Sequence, residues 1–190
     1  KELASKAHTS VVFANEDIKV AEQISKLVST NYYHVSTSND VIGVETCAAI
    51  KNIFSMAVGA AQGLCDSTKS KENNYLNTAA ALIQESVYEM IIFVEKLKGK
   101  KETVIGLAGI GDLYVSADGG RNSKMGEYLG QGMTFNEAKK SKMSNVTVEG
   151  ADLALEIGAK IKKDFDIKTL PLMISMIDTI CEEKPLKVDW

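Results

Sequence analysis

The stretch from Val44 to about Leu64 constrains this 190-residue chain more than any other. At a step of about 100° per residue, Val44, Cys47, Ala48, Phe54, Val58 and Ala61 fall on one helical face. Small residues fill its middle, with Ala48, Ala49, Ala57, Gly59 and Ala60 suited to close packing against another helix. A second long apolar pattern, Tyr75 to about Leu97, carries Leu76, Ala79, Ala80, Ile83, Val87, Met90, Ile91 and Val94, and predicts a central, largely buried helix. The polar run Asp66–Asn74 between them reads as a loop. Thr134 and Glu137 match a capping box that starts a short helix. Glu149 to about Ile161 reads as another helix, and Pro171 fits the first position of a last one reaching about Glu183. Residues 41–190 are therefore expected to form a mostly α-helical domain.

The first 40 residues have a different texture. Thr9–Ala14 reads as a strand, Asp17–Ser29 as a helix with Val20, Ala21, Ile24, Leu27 and Val28 on one face, and Tyr32–Ser36 as a second strand before a turn at Thr37–Asp40. This is a single α/β step. The chain opens Lys1-Glu2-Leu3 without Met, which supports the expectation that it is a piece of something longer.

Composition narrows the partners. Twenty-two basic against 25 acidic residues give a formal net charge of −3, which argues against a nucleic-acid or anionic-membrane binder. No unbroken apolar run approaches the roughly 18–20 residues of a membrane span. Three cysteines with no CxxC pair suggest reduced thiols in a cytoplasm-like compartment, and Cys47 reads as core packing. His8 and His34 have no ligand-spaced neighbours, so no metal site is expected.

Three places could carry chemistry. Lys51 has Cys47, Ala48, Phe54 and Ser55 three and four positions away, so it lies within the apolar stripe. Such a lysine must snorkel to water, pair with an acid, or give up its proton more easily. Gly106-Leu-Ala-Gly109-Ile-Gly111-Asp112 spells GxxGxG. It is not the GxGxxG of a dinucleotide fingerprint, and it leaves a lone acid, Asp112, in a glycine-rich loop with tight turns. Asp118-Gly119-Gly120-Arg121-Asn122 precedes a helical Ser123–Leu129. Free N–H groups at a helix start and the planar guanidinium of Arg121 suit a phosphate, and a plain turn with a solvated arginine is the other reading.

Taken in order, these segments resemble one family. Gly43–Asn52 (GVETCAAIKN) is similar to the GVE-x-x-x-A-x-K-N signature of the NAD(P)-dependent glycerol-3-phosphate dehydrogenases. Gly106–Leu113 (GLAGIGDL) resembles that family's glycine-rich aspartate segment. Arg121–Gly126 (RNSKMG) resembles its R-N-x-x-x-G stretch, and Val148-Glu149-Gly150 its V-E-G helix start.

The resemblance implies a helical C-terminal domain like that of 6-phosphogluconate dehydrogenase, after a remnant of a Rossmann domain. Residues 1–40 would be the remnant, and 41–190 the substrate-binding, catalytic domain. It implies reversible hydride transfer between sn-glycerol 3-phosphate and dihydroxyacetone phosphate with NAD or NADP, which the absent N-terminal domain would mainly bind. Lys51 would be the general acid/base, and Asp112 its partner or a ligand of the substrate hydroxyl. Gly120, Arg121 and Asn122 would hold the phosphate, with Asn52 lining the pocket. Ser116 lies where many members carry threonine. Arg121 and Glu149 would meet the cofactor. A cytoplasmic homodimer, inactive without its N-terminal domain, completes the expectation. Two other readings stay open: a non-catalytic helical module for dimerisation or partner binding, and a related two-domain hydroxy-acid dehydrogenase.

Overall fold

A computed structural model describes residues 2–66 and 75–188. Apart from Asp66, the loop expected at Asp66–Asn74 lies outside the described residues. Strands β1 (Thr9–Ala14) and β2 (Tyr33–Ser38) pair in parallel around helix α1 (Ile18–Val28). The β2 strand runs two residues past its expected end because Thr37 and Ser38 continue the ladder opposite Phe13 and Ala14. Asp17 caps α1 by accepting a hydrogen bond from the Lys19 N–H at 3.0 Å. The apolar stripe of α1 exists, yet only Ala21 in it is buried, and Leu27 is 84% exposed. Two strands are too few to cover that face. His8 and His34 lie side by side at this sheet, both exposed, with ring nitrogens 2.9 Å apart.

From Val41 the chain is helical. The axis of the fold is α2 (Val41–Asp66), against which α3 (Leu76–Lys96), α5 (Asp112–Ala117), α6 (Arg121–Gly130) and α8 (Glu149–Asp164) all pack. Short α4 (Lys101–Val104), α7 (Phe135–Lys142) and α9 (Pro171–Cys181) complete the described helices of α type. Within Val41–Cys65 of α2 an 18-residue window has a mean hydropathy of 1.4, so this helix is long and apolar enough by composition to cross a membrane. The expectation that nothing approaches a span therefore needs correcting. That expectation counted unbroken runs, and Glu45 and Lys51 interrupt this one. In the fold, Ile53 to Ala61 is buried from end to end by neighbouring helices.

Two carboxylates organise the helix ends. Buried Asp40 accepts hydrogen bonds from the Gly43 N–H (3.0 Å), the Lys100 N–H (2.9 Å) and the Thr103 hydroxyl (2.5 Å), so it closes the start of α2 and pins α4 onto it. Burial raises its pKa, but these hydrogen bonds and the Lys100 charge outweigh burial and hold it below its ordinary value. Glu89 of α3, 1% exposed, accepts from the Leu172 and Met173 N–H groups and so caps α9, whose first residue is Pro171. The capping box of α7 forms as expected, with Thr134 and Glu137 bonded reciprocally.

Candidate active site

The site forms where three helix starts meet the middle of α2. Close approach requires the absence of side chains at chosen points. A Cβ at Gly126 of α6 would lie 1.8 Å from the Met56 carbonyl oxygen, and one at Gly150 of α8 would lie 2.4 Å from the Asn52 carbonyl oxygen. The starts of α6 and α8 are thus brought beside Lys51 and Asn52.

Lys51 takes the second of its three options. Its Nζ lies 2.5 Å from Asp112 Oδ2, and its side chain is 17% exposed against 38% for the aspartate. The stem runs through the apolar stripe and the ammonium reaches a carboxylate at the mouth of a cleft. Asp112 is held there by a segment that does not form the expected loop. Leu107–Gly111 makes a π-helical turn that runs directly into α5. Buried Gly109 fits against the Val104 carbonyl, where a Cβ would sit 2.0 Å from the oxygen. Cys47, one turn before Lys51, is fully buried. Burial, helped by the negative charges of Asp40 and Asp112, pushes its thiol up to about 12, so it is core, as the sequence indicates.

A second cluster joins the first through Asn52. The Asn122 side chain is buried. Its Nδ2 donates to Asn52 Oδ1 at 3.1 Å and to Glu149 Oε2 at 3.5 Å, and its Oδ1 accepts from the Gly150 N–H at 2.9 Å. Glu149 Oε1 in turn pairs with Arg121, whose side chain is 59% exposed. Gly120 precedes α6 in extended backbone, and no side chain caps that helix, so its first N–H groups are available to an anion. Ser116 lies one turn after Asp112 on α5, half-buried, and its carbonyl abuts Gly120.

From the adjacent α2 positions Lys51 and Asn52, the structure therefore pairs Lys51 with Asp112 and joins Asn52 to a bonded cluster with Asn122, Glu149 and Arg121. A cleft of about 500 Å³ runs from Asp112 and Gly111 past Ala48 to Val11 and Val12 of β1. That β1 lines this cleft is not visible in the sequence. It follows from packing of the π-helical turn and of α2 against the strand.

A parallel α/β step thus feeds a helical domain that carries a lysine–carboxylate pair and an arginine at a helix start. The chain belongs to the family described as NAD-dependent glycerol-3-phosphate dehydrogenase C-terminus, whose model matches residues 40–188. It is 33% identical over 170 residues to the NADP(+)-dependent glycerol-3-phosphate dehydrogenase of Archaeoglobus fulgidus, covering 86% of this chain and 50% of that protein. It is 34% identical over 187 residues to the glycerol-3-phosphate dehydrogenase [NAD(P)+] of a Thermotoga species, covering 97% and 54%. A crystal structure of glycerol-3-phosphate dehydrogenase from Coxiella burnetii matches with a TM-score of 0.79 at 29% identity, covering 97% of this chain and 54% of that one. The chain spans about half the length of the curated relatives it matches.

Proposed function

We propose that this chain is the substrate-holding half of an NAD(P)-dependent glycerol-3-phosphate dehydrogenase, which interconverts sn-glycerol 3-phosphate and dihydroxyacetone phosphate. Residues 41–190 act as the substrate-binding, catalytic domain, and residues 1–40 belong to the dinucleotide-binding domain. The parallel strands and the uncovered apolar face of α1 support that division. The observation that carries the reading is the Lys51–Asp112 pair at the mouth of a cleft, one residue from the cluster that includes Arg121.

Lys51 holds the proton that reaches the C2 oxygen when the ketone is reduced, and accepts it when the alcohol is oxidised. Asp112, in contact with the Lys51 Nζ, keeps the lysine aimed between turnovers. Arg121 and the N–H groups of Gly120, Arg121 and Asn122 at the start of α6 hold the phosphate. Asn52 lines the pocket beside Lys51, and Ser116 offers a hydroxyl on the Asp112 side. Arg121, well exposed, and Glu149, partly exposed, are polar groups fit to meet a nicotinamide dinucleotide, and the cleft beside β1 has room for a planar ring. The nicotinamide supplies or accepts the hydride.

The test is to assay the complete gene product with dihydroxyacetone phosphate and NADH or NADPH. Consumption of the reduced dinucleotide is expected, with little activity on dihydroxyacetone itself. Equal rates on the phosphorylated and unphosphorylated ketones would overturn the assignment.

A further inference from the structure

Asp40, the last residue before α2, is 6% exposed, and its two carboxylate oxygens serve different elements. Oδ1 accepts from the Gly43 N–H in the first turn of α2 at 3.0 Å. Oδ2 accepts from the Lys100 N–H at 2.9 Å and from the Thr103 hydroxyl at 2.5 Å, both at α4. A Cβ at Gly43 would lie 1.9 Å from Oδ2, so glycine there is what leaves room for the carboxylate.

The α4 helix is the support of the segment that delivers Asp112. It packs on α2 and on the π-helical turn. The carbonyl of its buried last residue, Val104, receives Gly109, and the turn runs on into Asp112. With only four residues, Lys101–Val104, α4 is too short to hold its own shape in water. Lys51 stands on α2 itself, about three turns or roughly 16 Å beyond Asp40. One carboxylate is thus bonded to both supports of the Lys51–Asp112 pair, to α2 through Oδ1 and to α4 through Oδ2.

Resting on the dehydrogenase reading, we propose that Asp40 is a positioning residue for this pair. It straps α4 to the start of α2 and so keeps Asp112 in register with Lys51. Asp40 touches no substrate, and the Thr103 hydroxyl is the part of the strap that can be removed without disturbing the start of α2.

The experiment measures kcat and KM for dihydroxyacetone phosphate in the complete gene product. Thr103→Val keeps the side-chain shape, loses the hydroxyl bond and is expected to lower kcat by about 3- to 10-fold. Thr103→Ser keeps the hydroxyl and should stay within about twofold of the parent. Asp40→Asn cannot accept on both sides, and a fall in kcat of about 10- to 100-fold is expected, the cost of a displaced reacting group. KM should move by less than about threefold in each, because the start of α6 is tied to Asn52 and Gly150 and not to α4. In an Asp112→Asn background, Asp40→Asn is expected to lower kcat by no more than about threefold further, because both changes act on one pair. A loss of folded protein would lower kcat by the same factor in both backgrounds. Losses that multiply, or a Thr103→Ser protein as slow as Thr103→Val, would overturn the proposal.

Amide hydrogen exchange separates the strap from the reading it rests on. Asp40→Asn and Thr103→Val are expected to speed exchange across residues 101–112 by about fivefold or more, while α8 keeps its rate. That pattern in a protein whose parent form reduces no ketone would leave the strap standing and remove the dehydrogenase assignment. Turnover of dihydroxyacetone phosphate by the parent, with exchange across 101–112 unmoved in both variants, would do the reverse.

Discussion

Arg121 and Glu149, 28 residues apart in sequence, form an ion pair that bridges the starts of α6 and α8. The guanidinium proposed to meet the phosphate is therefore already engaged, through one of its nitrogens, by a carboxylate of the same chain. A phosphate that takes the fork of Arg121 through that nitrogen competes with the carboxylate for it. Arg121 is well exposed and Glu149 partly so, and solvent-screened pairs of that kind are worth up to about 1 kcal/mol. Replacing Glu149 with Gln is expected to free Arg121 and to strengthen inhibition by inorganic phosphate by up to about fivefold. Arg121→Ala should weaken it by roughly 10- to 100-fold, the worth of a charge-assisted bond. Competition assays against dihydroxyacetone phosphate measure both. An unchanged inhibition constant in Glu149→Gln would mean that the pair does not restrain Arg121.

Lys51 and Asp112 lend themselves to a cleaner separation of activity from stability. The pair sits at the cleft mouth and is partly exposed on both sides, so its loss should cost little folding free energy. As the proposed acid/base, Lys51 should carry about 10²- to 10⁴-fold in rate. Lys51→Ala is thus expected to collapse kcat in the complete gene product while leaving the urea midpoint nearly unmoved. Asp112→Asn should reduce kcat by less, since the ammonium remains. A Lys51→Ala protein with near-normal kcat would remove the lysine from its role.

Much of this was legible because local rules and tertiary outcome agree. The helical period places α2, α3 and α8, and Thr134 with Glu137 and the position of Pro171 mark helix starts that form as expected. The period also isolates Lys51 as a charge in an apolar stripe. It does not say which of three outcomes follows, because Asp112 arrives from a distant segment. What stayed hidden has the same origin. A stripe shows which face of a helix is apolar, not what covers it, so α1 reads as packed while Leu27 is largely exposed. Gly106–Gly111 reads as a loop because π-helical turns have no short-range signature, and this one depends on Gly109 seating against Val104. Asp40 and Glu89 look like ordinary acids in the sequence. Their roles come from N–H groups supplied by other helices.

Gly126 tests whether backbone approach, not side-chain chemistry, assembles the site. The methyl group of Gly126→Ala would overlap the Met56 carbonyl, and neither α2 nor α6 has a flexible side chain at that contact to move aside. The helices must separate. Overpacking of this kind costs about 1–3 kcal/mol, and more where the backbone itself is hit. A lowered urea midpoint is expected together with a raised KM for dihydroxyacetone phosphate, because Arg121 and Asn122 move with α6. A stability loss with an unchanged KM would show that the α6 start keeps its place by other contacts.

Glu89 gives the fold a pH dependence of its own. Burial raises its carboxyl, the Leu172 and Met173 N–H bonds oppose that rise, and the nearby charge of Glu85 adds to it, leaving a value of about 7 against 4.5 for a free side chain. The folded protein therefore binds this proton more tightly than the unfolded one. The resulting stability is present in full below the unfolded value and is lost as pH rises through about 7. At roughly 1.4 kcal/mol per unit, the loss amounts to a few kcal/mol between mildly acid and mildly alkaline solution. Glu89→Gln keeps one acceptor for the start of α9 and cannot titrate. Urea midpoints measured across mildly acid to mildly alkaline pH should show the parent losing stability over this window while the variant stays level, so that the difference moves in favour of Gln as pH rises. A difference that does not change with pH would mean that Glu89 is ionised throughout, held charged by its two backbone partners.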